Sequence, residues 1–192
     1  MKTAIASLLS STEVSRISFV FGPVSVLSHD FAAVATAVRS GDLAVEIDPG
    51  FLGAIDGTAA YDQDLNAFVF SSALQLGGDS LTSIGMSAFV VHEAVHAISD
   101  RKAAAVSIQM DEGAAYVATV WYMLERGVVD LSNSDAPEAD RPLLEAVDAM
   151  RKRALDGTVP VSATDSEVKA VVGYVLNQPR YRTPGVYEYN GW

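Results

Sequence analysis

The chain has 192 residues, of which 49% are hydrophobic and 19% are charged, with three histidines and no cysteine. This length predicts one domain over residues 1–192, and the low charged fraction excludes general intrinsic disorder. The 24 acidic and 13 basic side chains give a net charge of −11, which argues against nucleic acid or anionic lipid as the main partner. The lack of cysteine excludes disulfide scaffolds, thiolate nucleophiles and cysteine-ligated zinc. Any metal site must therefore use histidine and carboxylate.

Neither the start of the chain nor its most apolar segment has the pattern of a targeting or membrane segment. The apolar stretch at residues 4–9 is shorter than the roughly 7–15 residues of a signal peptide core. The stretch at residues 84–98 is interrupted by His92, Glu93 and His96, whereas a membrane span needs about 20 apolar residues. We therefore expect a cytoplasmic protein without a membrane partner, with secretion lacking a cleavable signal as the alternative.

The first 75 residues contain short strand patterns around one helix. Residues 17–27 are rich in β-branched and aromatic side chains and are interrupted by a Gly-Pro pair, which predicts a broken strand. Asp30 is a candidate cap for a helix over residues 31–39. Residues 43–47 alternate between apolar and polar positions, and residues 66–71 follow a polar turn. Both segments are predicted to be strands.

The pattern becomes helical after residue 80. A helix capped by Thr82 or Ser83 is predicted to reach Ser99, and the residues that follow predict three more helices and an aromatic tail. These segments are a helix over residues 106–126, a polar connection at 128–135, a helix from Pro137 to before Gly157, a helix started by the Thr164–Glu167 capping box and ended by Pro179, and a tail at 181–192. A small mixed or antiparallel sheet followed by helices predicts an α+β domain.

Two of the three histidines lie four residues apart in the segment HEAVH, residues 92–96. On a helix, His92 and His96 point about 40° apart, so both imidazoles can reach one cation. Neutral imidazole is a good zinc ligand, and Glu93 lies beside that position, where a carboxylate can act on a metal-activated water. The apolar neighbours indicate a buried helix, in which these groups need partners. The alternative is a pair of hydrogen-bonded core histidines.

A third ligand is expected on the next helix. Glu112 follows His96 by 16 residues and stands among small residues that allow a close helix–helix approach. Asp111 is the competing carboxylate. A simpler explanation for an acidic residue at a helix start is its attraction to the positive end of the helix dipole.

HEAVH at 92–96 followed by DEGAAY at 111–116 resembles the gluzincin group of zinc metallopeptidases. The resemblance covers residues 83–126. It implies that His92, His96 and Glu112 bind Zn²⁺, and that Glu93 is the general base and proton shuttle. Residues 59–70 are similar to the sheet segment that often precedes this helix in zincins, where an edge strand pairs with the bound peptide. The chain departs from the thermolysin-like pattern at Tyr116, where that pattern has an aspartate that orients a zinc histidine.

Other polar residues are candidates for supporting roles. Asp100 and Asp111 are candidate partners for the second nitrogen of a metal-bound histidine. His29 is expected to be structural. A tyrosine or histidine is also expected to stabilise the oxyanion of the reaction. The candidates for that role are Tyr116, Tyr174, Tyr181, Tyr187, Tyr189 and His29.

The combined interpretation is a small zincin-like, zinc-dependent peptidase whose partner is a peptide or protein substrate. Its acidic balance favours basic or neutral substrates through long-range steering. The alternatives are a catalytically inactive or structural zinc-binding protein of the same fold and a narrow-specificity effector protease. Retention of Glu93 between the histidines argues against a purely structural site.

Overall fold

The structure is a computed structural model that describes residues 1–54, 58–73, 76, 78–129, 131 and 137–192, with only the backbone described for residues 52–54. In these ranges the α-helices are α1 (Lys2–Leu9), α2 (Thr12–Ser15), α3 (Ser28–Ser40), α4 (Pro49–Ala54), α5 (Leu81–Arg101), α6 (Ile108–Glu125), α7 (Arg141–Leu155) and α8 (Asp165–Asn177). A 3₁₀ helix follows at Pro179–Tyr181. The strands are β1 (Phe19–Phe21), β2 (Val24–Val26), β3 (Ala44–Ile47), β4 (Ala59–Asp62), β5 (Ala67–Phe70), β6 (Ala105–Ser107), β7 (Val161–Ser162) and β8 (Val186–Glu188).

The strands form three small sheets. One has the order β2-β1-β7, with β1 antiparallel to β2 and parallel to β7. The second has the order β3-β5-β4, with β5 parallel to β3 and antiparallel to β4. The third pairs β6 with β8 in antiparallel fashion. Helices and small sheets together are compatible with the predicted α+β class. The predicted order of sheet first and helices later is too simple, because α1 and α3 come early and β7 and β8 come late.

The predicted elements of the first half are confirmed in outline. The broken strand at residues 17–27 is the β1–β2 hairpin, and the strands at 43–47 and 66–71 correspond to β3 and β5. The prediction that Asp30 is the N-cap residue of this helix is wrong, because Asp30 lies inside the helix. The helix α3 begins at Ser28, and Asp30 accepts the Leu27 N–H through Oδ2 at 2.8 Å from inside the first turn.

The predicted helices of the second half are present with shifted starts. The HEAVH segment lies in α5, whose N-cap is Ser80 rather than Thr82 or Ser83, because the Ser80 hydroxyl accepts the Ser83 N–H at 3.2 Å. The helix α6 begins only at Ile108, because residues 105–107 form β6. The Thr164–Glu167 capping box is confirmed. The polar connection at 128–135 falls largely outside the described residues.

The helix α5 is long and apolar enough to meet the length and hydropathy of a membrane span, but 72% of the relevant window is buried within the protein. Its hydrophobic side chains contact the core on most sides, and Phe89 is one of the few that reach the surface. This burial is typical of the central helix of a core.

The helices α5 and α6 pack against each other, and α6 also lies close to β1. The contact with β1 depends on Gly113. A Cβ atom at Gly113 would lie 2.8 Å from Cε1 of Phe21, whose ring is fully buried. This close approach sets the distance between α6 and β1 at a position one residue after Glu112.

Replacing Gly113 with alanine is expected to lower the free energy of unfolding by about 1–3 kcal/mol, because Phe21 or α6 must move. Gly173, in the interior of α8, is a matched control with open space around its Cβ position. Gly173→Ala should raise the free energy of unfolding by about 0.5–1 kcal/mol through helix propensity. Denaturant unfolding measures both values. Equal effects for the two variants would contradict the proposed close contact.

Candidate metal centre

Three predicted ligands converge in the structure. The donor atoms of His92, His96 and Glu112 all lie within 4.8 Å of one another. Nε2 of His92 is 3.4 Å from Oε2 of Glu112, and Nε2 of His96 is 3.7 Å from Oε1 of the same carboxylate. The three residues are at most 8% exposed. The spacing of HEAVH therefore brings its two histidines to one face of α5, and the packing of α6 brings Glu112 to them.

Each histidine is oriented by a partner at its other ring nitrogen. The Thr119 hydroxyl donates to the Ala115 carbonyl oxygen at 2.8 Å, so it accepts from Nδ1 of His92 at 3.2 Å. Nδ1 of His96 donates to Oδ2 of Asp111 at 2.5 Å. With Nδ1 protonated on both rings, neutral imidazoles direct the Nε2 lone pairs to Glu112. This is the tautomer that a metal site requires.

Asp111 is the centre of a buried hydrogen-bond group beside the three clustered donors. Its side chain is fully buried, and Oδ2 accepts the Tyr189 hydroxyl at 2.7 Å in addition to His96. Oδ1 accepts the Ser99 hydroxyl at 2.6 Å. The proposed role of Asp111 as the partner of a histidine thus agrees with its position, whereas its competing role as third ligand does not.

The electrostatics of the cluster favour a positive charge at its centre. Burial lowers the pKa of His96, but Asp111 and Glu112 outweigh burial and raise the pKa to about 10. Burial raises the pKa of Glu112, but His96 and His92 outweigh it and hold the pKa at about 2. The carboxylate and imidazole therefore favour a bound cation, which is a proton in the absence of metal and is replaced by a metal ion on binding.

The cluster also fits a metal ion sterically. Oε2 of Glu112 is buried and has no hydrogen-bond partner among the described residues, which is costly for a carboxylate oxygen. Ligands at the usual zinc distances of about 2.0–2.2 Å in a tetrahedron lie roughly 3.4 Å apart. The observed separations of 3.4 and 3.7 Å are close to that value. The unpaired oxygen therefore lies where a ligand of such an ion would be.

Glu93 lies beside the three donors, on the side of α5 that faces β4. Its Oε2 accepts the backbone N–H of Tyr61 at 2.9 Å, and the residue is 7% exposed. This hydrogen bond fixes the carboxylate at the wall of the cleft and leaves its other oxygen without a described donor. A carboxylate placed in this way can accept a proton from a water molecule in the cleft.

The centre opens into a cleft of about 770 Å³. One wall is the segment from Thr58 to Asp64, which includes β4, and the opposite wall contains side chains from α6 and the chain after α8. The rings of Phe51 and Phe89 are 38% and 43% exposed and give the cleft an apolar rim. A cleft of this size and mixed lining is typical of a binding site for a small molecule or peptide.

Asp100 does not contact either histidine, so the expectation that it orients one is wrong. Its Oδ2 accepts the Tyr61 hydroxyl at 2.5 Å, and its Oδ1 accepts the N–H groups of Asn190 and Gly191 at 3.1 and 2.9 Å. Asp100 is fully buried. It therefore connects β4 to the C-terminal tail at the end of α5.

The C-terminal tail both lines the cleft and packs over the helices. Tyr187 and Tyr189 stack with ring centres 5.6 Å apart, and both border the cleft. Trp192 donates from Nε1 to the carbonyl oxygen of Ala97 at 3.1 Å. The tail is thus part of both the cleft wall and the packing over α5.

The tyrosine candidates for oxyanion stabilisation separate into groups. Tyr116, Tyr181 and Tyr187 line the cleft, while the hydroxyl of Tyr189 is used by Asp111. Tyr174 is not a lining residue and instead packs edge-on against Tyr116, with ring centres 5.1 Å apart. His29 has a 74% exposed side chain next to Asp30 and does not line the cleft, so its position does not support a role in oxyanion stabilisation.

Several contributors were not predicted from the sequence. Thr119 is seven residues after Glu112 and therefore lies on the same face of α6, a spacing that would have identified it. Ser99, the backbone of Tyr61 and the side chain of Arg180 gave no comparable signal, because their positions depend on contacts between distant segments.

Comparisons of the chain with protein-family models, curated proteins and solved structures found no match. The geometry of the cluster and the cleft is therefore the basis for assigning a function.

Proposed function

We propose that this chain is a zinc-dependent peptidase with a zincin-like arrangement, in which His92, His96 and Glu112 hold the metal and Glu93 is the general base. The observation that carries the proposal is the convergence of these three donors around an unpaired Glu112 oxygen, with Glu93 beside them in a cleft. Purely structural histidines would not need that combination.

Zinc is the metal that this donor set favours. Two imidazoles and one carboxylate are a ligand set used in catalytic zinc sites, which keep a further position for water or substrate. Bound there, Zn²⁺ would supply Lewis-acid activation of a water molecule and of the substrate carbonyl group.

Within this mechanism Glu93 moves the protons. Its carboxylate takes a proton from the attacking water and delivers it to the amine that leaves when the peptide bond breaks. The Tyr61 N–H holds one carboxylate oxygen at 2.9 Å, so the other oxygen carries the proton. Tyr116, Tyr181 and Tyr187 are the cleft hydroxyl groups that could stabilise the developing oxyanion, and that of Tyr187 already donates to Oε1 of Glu112 at 3.5 Å.

The free edge of β4 supports a peptide as the substrate. Tyr61 donates its N–H to Glu93 rather than to β5, so the outward-facing backbone groups of β4 belong to Ala59 and Tyr61. With β4 at the edge of its sheet, the N–H of Ala59 and the carbonyl groups of both residues can pair with an extended chain. Such pairing recognises a peptide main chain independently of its sequence.

A direct test combines metal analysis with digestion of a peptide library. The purified chain should bind one equivalent of zinc and cleave library peptides detected by mass spectrometry, and chelation should abolish cleavage. Bound zinc without cleavage of any peptide would instead favour the inactive or structural zinc protein. Cleavage that survives complete removal of metal would contradict the proposal.

Replacing Asp111 with asparagine is expected to lower zinc affinity by about 10–100-fold, because the anionic partner of His96 makes that imidazole a better ligand. Asparagine keeps the volume of this buried side chain, and its amide group can donate to the Ser99 hydroxyl. Competition with a zinc-binding dye measures the affinity, and the exposed Asp156→Asn is the matched control. Unchanged affinity in the Asp111 variant would contradict its orienting role.

A further inference from the structure

The ionisable groups that line the cleft are mostly acidic or neutral. They include Asp62, Asp64, Glu93 and Glu112, whereas Arg180 is the only lysine or arginine among the described lining residues. A net charge of −11 already repels anions at long range. Arg180 is exposed and borders this cleft, so its position next to acidic groups needs a specific explanation.

From this position we infer that Arg180 forms a subsite for a carboxylate group of the substrate. The inference deepens the proposed peptidase function and rests on it for the identity of the substrate. It assigns the substrate class as a peptide that carries a carboxylate near the bond to be cleaved. That carboxylate belongs either to an acidic side chain or to the C-terminus of the peptide.

The backbone that carries Arg180 is held in place. Arg180 is in the 3₁₀ helix after α8, and Nε2 of Gln109 donates to the carbonyl oxygens of Tyr181 and Thr183 at 3.0 and 3.2 Å. Gln109 is on α6, three residues before the candidate ligand Glu112. The turn is thus attached to the same helix that positions the metal centre.

The guanidinium group of Arg180 is also oriented. Its central carbon lies 4.7 Å from the centre of the Tyr181 ring, and Tyr181 is itself 8% exposed. Contact with this fixed aromatic face limits the rotation of the planar cation. A side-chain hydrogen bond to Tyr116 uses part of its N–H edge, and the remaining N–H groups can face a ligand. Such an edge matches the two oxygens of a carboxylate in a bidentate geometry.

Arg180 has no acidic partner among the described residues, whereas Arg16, Arg126, Arg151 and Arg153 each have one. Arg16 and Arg151 share Glu125, at 2.8 and 2.7 Å, and Arg153 pairs with Glu167 at 2.7 Å. In the described part of the chain no carboxylate oxygen lies within 4.0 Å of an Arg180 nitrogen. An oriented cation without a carboxylate is thus present at the cleft wall.

The neighbours of Arg180 preserve its charge. Burial lowers the pKa of Arg180, but the nearby Tyr181, Tyr116 and Glu112 side chains raise it above its ordinary value. The proximity of Tyr116 and Glu112 also places the cation near the candidate metal centre. A carboxylate held by Arg180 would therefore lie close to the bond presented to Glu93.

The test uses zinc-loaded protein and peptidyl hydroxamates, whose hydroxamate group binds the metal without turnover. Each probe carries its hydroxamate group at the N-terminal end, followed by one, two or three glycines. The last residue is glutamate amide, glutamine amide or glutamine with a free C-terminal carboxylate. We expect the best carboxylate probe to bind about tenfold or more tightly than the glutamine amide of the same length. A preference for glutamate amide identifies an acidic side chain, and a preference for the free acid identifies the C-terminus.

Arg180→Gln should abolish the preference for carboxylate probes over the glutamine amide of the same length. Arg182→Gln is the matched control, because Arg182 is exposed, does not line the cleft and, among the described residues, donates only to the carbonyl oxygen of Asn177 at 3.3 Å. Arg180→Glu should instead favour a lysine probe over glutamate. Equal binding of all probes by the unmodified protein, or discrimination that persists in Arg180→Gln, overturns the inference.

The outcomes separate this inference from the proposed function. Discrimination among hydroxamates without cleavage of any peptide would retain the carboxylate subsite and contradict the peptidase. Cleavage of peptides with equal binding of all probes would retain the peptidase and contradict the subsite.

Discussion

Replacing Glu93 with glutamine is expected to reduce peptide hydrolysis by about 10²–10⁴-fold while leaving one zinc ion bound per chain. The amide cannot accept the proton of the attacking water or pass it to the leaving amine. The three donor residues are unchanged, so metal binding should persist. Measurement of kcat/KM on a peptide identified in the library digest, together with metal analysis of the same sample, checks both expectations.

The structure explains why this substitution should leave the fold intact. Glutamine has nearly the same volume as glutamate, and its carbonyl oxygen can still accept the Tyr61 N–H that Oε2 of Glu93 now accepts at 2.9 Å. Glu145→Gln, at an exposed position of α7, is the control for loss of one negative charge. Full hydrolytic activity in the Glu93 variant would falsify its role as general base.

The part of the site that could be predicted from the sequence is the part carried by one helix. His92, Glu93 and His96 lie within five residues, and the 3.6-residue period of α5 fixes their relative directions whatever the rest of the fold does. Glu112 required one further assumption, namely that small residues would allow α6 to approach α5. Gly113 shows the same principle on the other side of α6, where the close contact is with Phe21.

The remaining parts of the site depend on contacts that no local pattern specifies. Asp100 was a reasonable partner for His96 on spacing alone, since it follows by one helical turn. In the structure it binds Tyr61 and the backbone at Asn190 and Gly191, far away in the sequence. The tail binds the carboxylate of Asp100, so the role of Asp100 follows from tertiary packing and not from its position on α5.

The same reasoning applies to the cleft. The edge position of β4 depends on β5 pairing with β3 in parallel and with β4 in antiparallel fashion, which short strand patterns cannot determine. Arg180 reaches the cleft because Gln109 holds the turn after α8. The sequence therefore predicted which residues cluster at the centre, and the walls that would select a substrate required the structure.

Replacing Glu112 with glutamine is expected to weaken zinc binding by more than the roughly 10–100-fold typical of an outer partner, because a charged ligand is lost. The weaker binding should also reduce the amount that zinc adds to the free energy of unfolding. At a zinc concentration 1,000 times the dissociation constant, the metal adds about 4.1 kcal/mol to the free energy of unfolding. A 100-fold weaker site gains only about 1.4 kcal/mol at the same concentration.

Comparison of zinc-free and zinc-loaded samples separates a ligand role from a structural role. Glu112 also attracts His92 and His96 in the absence of metal, at 3.4 and 3.7 Å, so Glu112→Gln should lower the stability of the zinc-free protein as well. Thermal or denaturant unfolding should nevertheless reveal a larger difference between Glu112→Gln and the unmodified protein when zinc is present. Glu145→Gln should gain the full stabilisation by zinc. An equal loss of stability with and without zinc would mean that Glu112 holds the helices together and does not bind the metal.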